Sequence, residues 1–106
     1  MKIYLKANSD ISKDSLLEAM RFANQYKRSI IDKSNHIIIV PLNPGSREDD
    51  LMNPNGGWGA YLQSLGFNIA IERGDFEYET FDNRQCGFTN SNKRYLRNRL
   101  IMTITW

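Results

Sequence analysis

His36–Leu42 reads HIIIVPL, and its run of β-branched residues, Ile37 to Val40, is the strongest strand signal in the chain. A short, continuous apolar run of this kind predicts a central strand. Pro41 has no amide proton, so pairing is expected to weaken beside it. Upstream, Lys33-Ser34-Asn35 forms a tight turn out of a shorter strand over Ser29–Asp32. Downstream, Asn43–Gly57 holds the two remaining prolines and three glycines, which predicts a loop. Loops of about 15 residues without regular structure are uncommon, and many are functional or mobile.

Further out, Met1–Ala7 alternates, with Ile3 and Leu5 on one side and Lys2, Tyr4 and Lys6 on the other, as in a half-exposed strand. Ser12 is an N-cap candidate with Asp14 in the first turn. Leu16, Ala19, Met20, Ala23 and Tyr26 then recur at helical spacing, so Lys13–Lys27 reads as an amphipathic helix with Phe22 widening its buried stripe. Trp58, Tyr61, Leu62 and Leu65 begin a second helix of about two turns, ended by Gly66. Phe67–Arg73 and Asp75–Phe81 read as two strands joined around Gly74-Asp75, followed by a polar loop over Asp82–Asn90. Ser91 caps a third helix running from Asn92 to about Leu100, and Ile101–Trp106 closes the chain as a strand.

The expected order is therefore β-α-β-β-α-β-β-α-β, without an internal repeat. Hairpins outnumber crossovers, so the expected class is α+β: one domain over residues 1–106, with a mainly antiparallel sheet of about five to six strands and two to three helices packed on it. Aromatic and β-branched residues are plentiful and net charge is only +2, so a folded chain is expected rather than a disordered one. No apolar stretch approaches the roughly 20 residues of a membrane span, and no secretory leader is visible, so a cytoplasmic protein is expected. The single Cys86 rules out an internal disulfide and a multi-Cys zinc site, and neither a metal nor a cofactor is expected.

Charge is unevenly distributed along the chain. Residues 1–34 carry a net +3, residues 35–82 a net −6 and residues 83–106 a net +5, within a total of +2. The acidic group supplies Glu72, Asp75, Glu77 and Glu79 as candidates for contacting a basic partner. Glu77 and Glu79 lie on one strand face about 7 Å apart. The basic group supplies Lys93, Arg94, Arg97 and Arg99, of which Lys93, Arg94 and Arg97 share one edge of the expected third helix and suit an acidic protein or nucleic acid. Each group also has a plainer reading, as a solvated helix face and as an edge strand protected by charge.

Individual residues add little chemistry. His36 is the only histidine, and Cys86, beside Arg84, would need His36 near it in space to act as a nucleophile. Asn53-Pro54-Asn55-Gly56-Gly57-Trp58-Gly59 could present bare amides to an anion, yet it matches neither GxGxxG nor GxxxxGK[ST]. Its plainer reading is a positive-φ loop that lets Trp58 tuck inward. If exposed instead, Trp58 and Tyr61 become protein-contact candidates.

No nucleophile–base pair, metal set or cofactor loop is apparent, so a binding protein is expected rather than an enzyme. In size, Asn/Ile/Lys-rich composition and charge layout, including acidic Glu72–Asp82 and basic Lys93–Arg99, the chain resembles the small anti-defence proteins of phages and mobile elements, particularly the anti-CRISPR type. The resemblance spans the whole chain and rests on no motif, and those proteins share no common fold, so no residue role carries over. It implies stoichiometric inhibition of a Cas nuclease, by occupying a surface of a larger nucleic-acid-handling protein or ribonucleoprotein. The alternative is direct nucleic-acid binding through Lys93, Arg94, Arg97 and Arg99.

Overall fold

The computed structural model describes residues 2–4, 11–85 and 88–106, and the side chains of 11–78 and 94–106. Strand β1 (Lys2–Tyr4) precedes helix α1 (Lys13–Ala23). Strands β2 (Ile30–Asp32) and β3 (Ile37–Pro41) follow as a hairpin. Helices α2 (Glu48–Leu51) and α3 (Trp58–Ser64) lead to two long strands, β4 (Asn68–Gln85) and β5 (Phe88–Thr105). All pairings are antiparallel. Four strands run in the order β4-β5-β3-β2, and the three-residue β1 extends the sheet along β4. The α+β class and antiparallel sheet are thus as expected, whereas six strands overstate the count.

The helices cover one face of the sheet. From α1, Ala19, Phe22 and Ala23 are fully buried, together with Leu62 of α3. Facing them are Ile38 and Val40 of β3, Ile69 and Ile71 of β4, and Met102 and Ile104 of β5. These strand residues alternate in sequence because successive side chains of a strand point to opposite faces. HIIIVPL is central as predicted, lying between β5 and β2. Pro41 still pairs in register with Ile101, closing the ladder.

Local signals at the helix ends also hold. Ser12 caps α1, its hydroxyl accepting from the Ser15 amide at 3.1 Å. Gly66 ends α3 at φ +114°, a region that favours glycine. However, α1 stops at Ala23 rather than Lys27. The single proton of the Ser29 hydroxyl is shared between the carbonyls of Ala23 (2.9 Å) and Tyr26 (3.1 Å) at that end, and Arg28 then turns the chain at φ 71°.

Four further expectations are corrected. The polar loop over Asp82–Asn90 is largely strand, with β4 running to Gln85 and β5 starting at Phe88. Phe67–Arg73 and Asp75–Phe81 are not two strands around a turn, because Gly74-Asp75 lies inside the continuous β4. Asn92–Leu100 is not a helix but part of β5, paired with β4 on both sides of an irregularity at Arg97-Asn98. Asn43–Gly57 is not wholly loop, since Glu48–Leu51 forms the single helical turn α2. The expected strand over Met1–Ala7 is seen at Lys2–Tyr4, its other residues lying outside those described.

Candidate functional site

Beyond the sheet, β4 and β5 pair, among the described residues, only with each other. The ladder of β5 with β3 ends at Ile101, and that of β4 with β1 ends at Ile71. Their pairing nevertheless continues through Phe76↔Leu96, Tyr78↔Arg94 and Glu79↔Lys93, with a second register shift between Asp82 and Gln85, to Gln85↔Phe88. The result is a two-stranded arm on a molecule measuring 50 × 30 × 20 Å.

A β-bulge marks the root of the arm. Between the pairs Gly74↔Arg99 and Phe76↔Leu96, the single residue Asp75 opposes Arg97 and Asn98. Asn98 takes φ 52°, a left-handed conformation that asparagine tolerates better than most residues. Asp75 pins the bulge: its carboxylate accepts from the Asn98 amide at 3.0 Å and from the Arg97 guanidinium at 2.9 Å. That guanidinium also lies 4.6 Å from the centroid of the Tyr95 ring, and Arg73 donates to the Asn98 and Ser46 carbonyls, each at 3.2 Å.

The Asn98 N–H, followed by the Arg97 guanidinium, holds the Asp75 carboxyl below its ordinary value of 3.8. A lowered carboxyl pKa stabilises the fold above the ordinary aspartate range and ceases to do so as pH falls through the folded value. We therefore expect the Asn98 amide resonance to titrate with a midpoint below 3.8, and Asp75→Asn to abolish that transition. An NMR pH series checks this, and a midpoint at or above 3.8 would contradict the pinned bulge.

The extra residue changes which side chains share a face. Counting across the bulge, Arg94, Leu96 and Arg99 of β5 fall on the same side as Phe76 and Tyr78 of β4, while Asp75, Glu77, Tyr95 and Arg97 occupy the other. The expected basic helix edge is therefore replaced: Arg94 and Arg97 lie on opposite faces of a ribbon, and Arg97 is neutralised by Asp75. The acidic and basic segments of the sequence are paired strands rather than separate surfaces.

The remaining candidates are dispersed. Glu72 is exposed at the arm's base, in register with Ile101; Glu77 is exposed, in register with Tyr95; Glu79 and Lys93 are in register, their side chains outside those described. Trp58 does tuck inward, with its ring 5.2 Å from Phe22 of α1, while Tyr61 is 43% exposed. Both line an open recess on α3 together with Met52 and Pro54. Gly57, offered above as an anion-facing amide, is buried instead against the last carbonyls of α2. His36 turns the β2–β3 hairpin at φ 55° and stacks on Trp106 at 5.5 Å, while Cys86 lies outside the described residues. Among the described residues, no group of three or more His, Cys, Asp or Glu could hold a metal. Nor is any described helix long and apolar enough to cross a membrane.

Sequence reasoning missed Lys27 and Arg28. They end the α1 turn and line one recess together with Tyr78, Leu96 and Arg99 of the arm. The available signal was a pair of cations just past a helix end, which the helix dipole accounted for without further explanation. No family model, curated protein or solved structure matches the chain.

Proposed function

We propose that the chain is a non-enzymatic binding protein that occupies a surface of a larger nucleic-acid-handling protein or ribonucleoprotein, using the β4–β5 arm as its contact element. In its finer form the proposal is an anti-CRISPR-type inhibitor acting stoichiometrically on a Cas nuclease. The observation that carries it is the arm itself, a ribbon that among the described residues pairs only within itself and on which one face presents Asp75, Glu77, Tyr95 and Arg97. Both charge signs on one narrow face favour a single register on a partner, because complementarity governs specificity and encounter more than raw affinity. Tyr95 is 45% exposed with Arg97 over its ring, and tyrosine and arginine dominate interface hot spots. The Asp75–Arg97 contact holds that pair in place before binding, which lowers the ordering cost of association.

Capture of partners by the tagged chain from its native host, followed by mass spectrometry and titration with the purified partner, tests the proposal. A nucleic-acid-handling protein bound at fixed stoichiometry is expected. Glu77→Lys with Tyr95→Ala, shown to be folded by circular dichroism, should weaken it by more than tenfold, a loss of about 1.4 kcal/mol or more. Undiminished binding by that variant, or a small molecule turned over with no stable partner, would overturn the reading.

A further inference from the structure

We propose that the recess at the root of the arm is a binding site for single-stranded nucleic acid, recognising phosphodiester groups and one stacked base. This site is separate from the arm face assigned above and does not depend on the identity of the protein partner.

Three cations from two parts of the chain meet there. Lys27 and Arg28 come from the end of the α1 turn and Arg99 from β5, over a floor that includes the buried Pro41 and Leu42. The dipole of α1 explains cations at its C-terminus, but not why β5 adds a third. Among the described residues, no carboxylate lines the recess and no ion pair engages these cations. Glu77, which has its own contacts, borders the adjoining recess with Arg28 and Tyr78. Like charges facing one recess repel one another, and a bound anion relieves that repulsion.

Arg28 indicates which anion. Its backbone is held at φ 71°, a conformation a long side chain rarely adopts. Its guanidinium lies 4.4 Å from the centroid of the Tyr78 ring. A stacked guanidinium keeps its N–H donors at the edge, where they fork onto phosphate oxygens. Because Arg28 is exposed, its outer plane is open to a base, and unpaired bases stack on arginine planes as they do on aromatic rings. Arg94, in register with Tyr78, continues the cationic line along the same face of the arm. A line of cations beside a stacking plane suits a linear polyanion carrying bases better than free phosphate or an acidic peptide, neither of which uses the plane.

Fluorescence anisotropy with a labelled 12-nucleotide oligouridylate and the full chain tests this. Three neutralised phosphates on a single strand give a log–log salt slope of about −2, or about 20-fold weaker binding at 200 than at 50 mM salt. Arg28→Gly keeps the left-handed turn free of strain, so combined with Arg99→Gln it should remain folded. That pair should lose at least tenfold in affinity and flatten the slope by about 1.4. Lys33→Ala, in the β2–β3 turn, should change neither. Absent binding at 50 mM salt, equal affinity for a polyglutamate peptide of the same length, or unchanged affinity in the double variant would each overturn the proposal.

Discussion

Phe22→Ala is expected to destabilise the protein by about 3–5 kcal/mol, the usual cost of emptying a buried aromatic site. Phe22 is fully buried where α1 meets α3, with its ring 5.3 Å from Tyr26 and 5.2 Å from Trp58. Truncation removes the apolar surface and leaves a void that neither helix can collapse into without losing the other's contacts. A domain of this size has about 5–15 kcal/mol in total, so the variant should be only marginally folded at ambient temperature. Leu17 of the same helix is 59% exposed, and Leu17→Ala should stay within about 0.5 kcal/mol of the parent. Urea titration measures both: a lowered midpoint with an unchanged slope is expected for Phe22→Ala, and equal effects of the two substitutions would contradict the packing described. The functional proposals depend on this packing too, because α1 sets where Lys27 and Arg28 emerge beside the arm.

Legibility in the sequence followed the range of the forces involved. Ser12, Gly66 and HIIIVPL were readable because a cap, a positive-φ stop and a β-branched run act within a few residues. Asn92–Leu100 was misread for a specific reason. Leu96 and Leu100 are four apart, which fits one helix face, and Lys93, Arg94, Arg97 and Arg99 are good helix formers. In β5 the bulge at Arg97-Asn98 shifts the alternation by one residue, so Leu100 faces the core and Leu96 faces away from it. No single-strand pattern reveals such a shift, because the pairing with β4 creates it. Propensity was overridden by the need of a long β4 for a hydrogen-bonding partner.

The same shift sets where the charges lie on the folded chain. Sequence blocks of opposite sign became facing strands, and the faces of the arm are set by pleat and bulge rather than by position along the chain. Arg97 belongs with Asp75, whereas Arg94 and Arg99 face the same way as Tyr78. The recess residues Lys27 and Arg99 lie 72 positions apart in number, so only the folded sheet brings them together.

Gly57→Ala is expected to cost about 3 kcal/mol, the upper end of what an extra methyl costs in a filled site. A Cβ at Gly57 would collide with the Leu51 carbonyl oxygen and lie 2.6 Å from that of Asp50. Both obstacles are backbone, so no rotamer change relieves them and α2 must move off the start of α3. Gly59 is crowded by the same turn, with a built Cβ 3.0 Å from the Leu51 oxygen. Gly74 is the control: nothing lies within 4 Å of a Cβ there, and Gly74→Ala should change stability by no more than about 0.5 kcal/mol. Urea midpoints separate the two, and an equally mild Gly57→Ala would show that α2 is not seated as described. The comparison also decides between two roles for Gly56-Gly57. Glycines that bare their amides to a phosphate would, on gaining a methyl, lose ligand affinity and keep their stability. Glycines that let two short helices touch backbone to backbone would lose stability first, and the buried position of Gly57 against Leu51 places it in the second group.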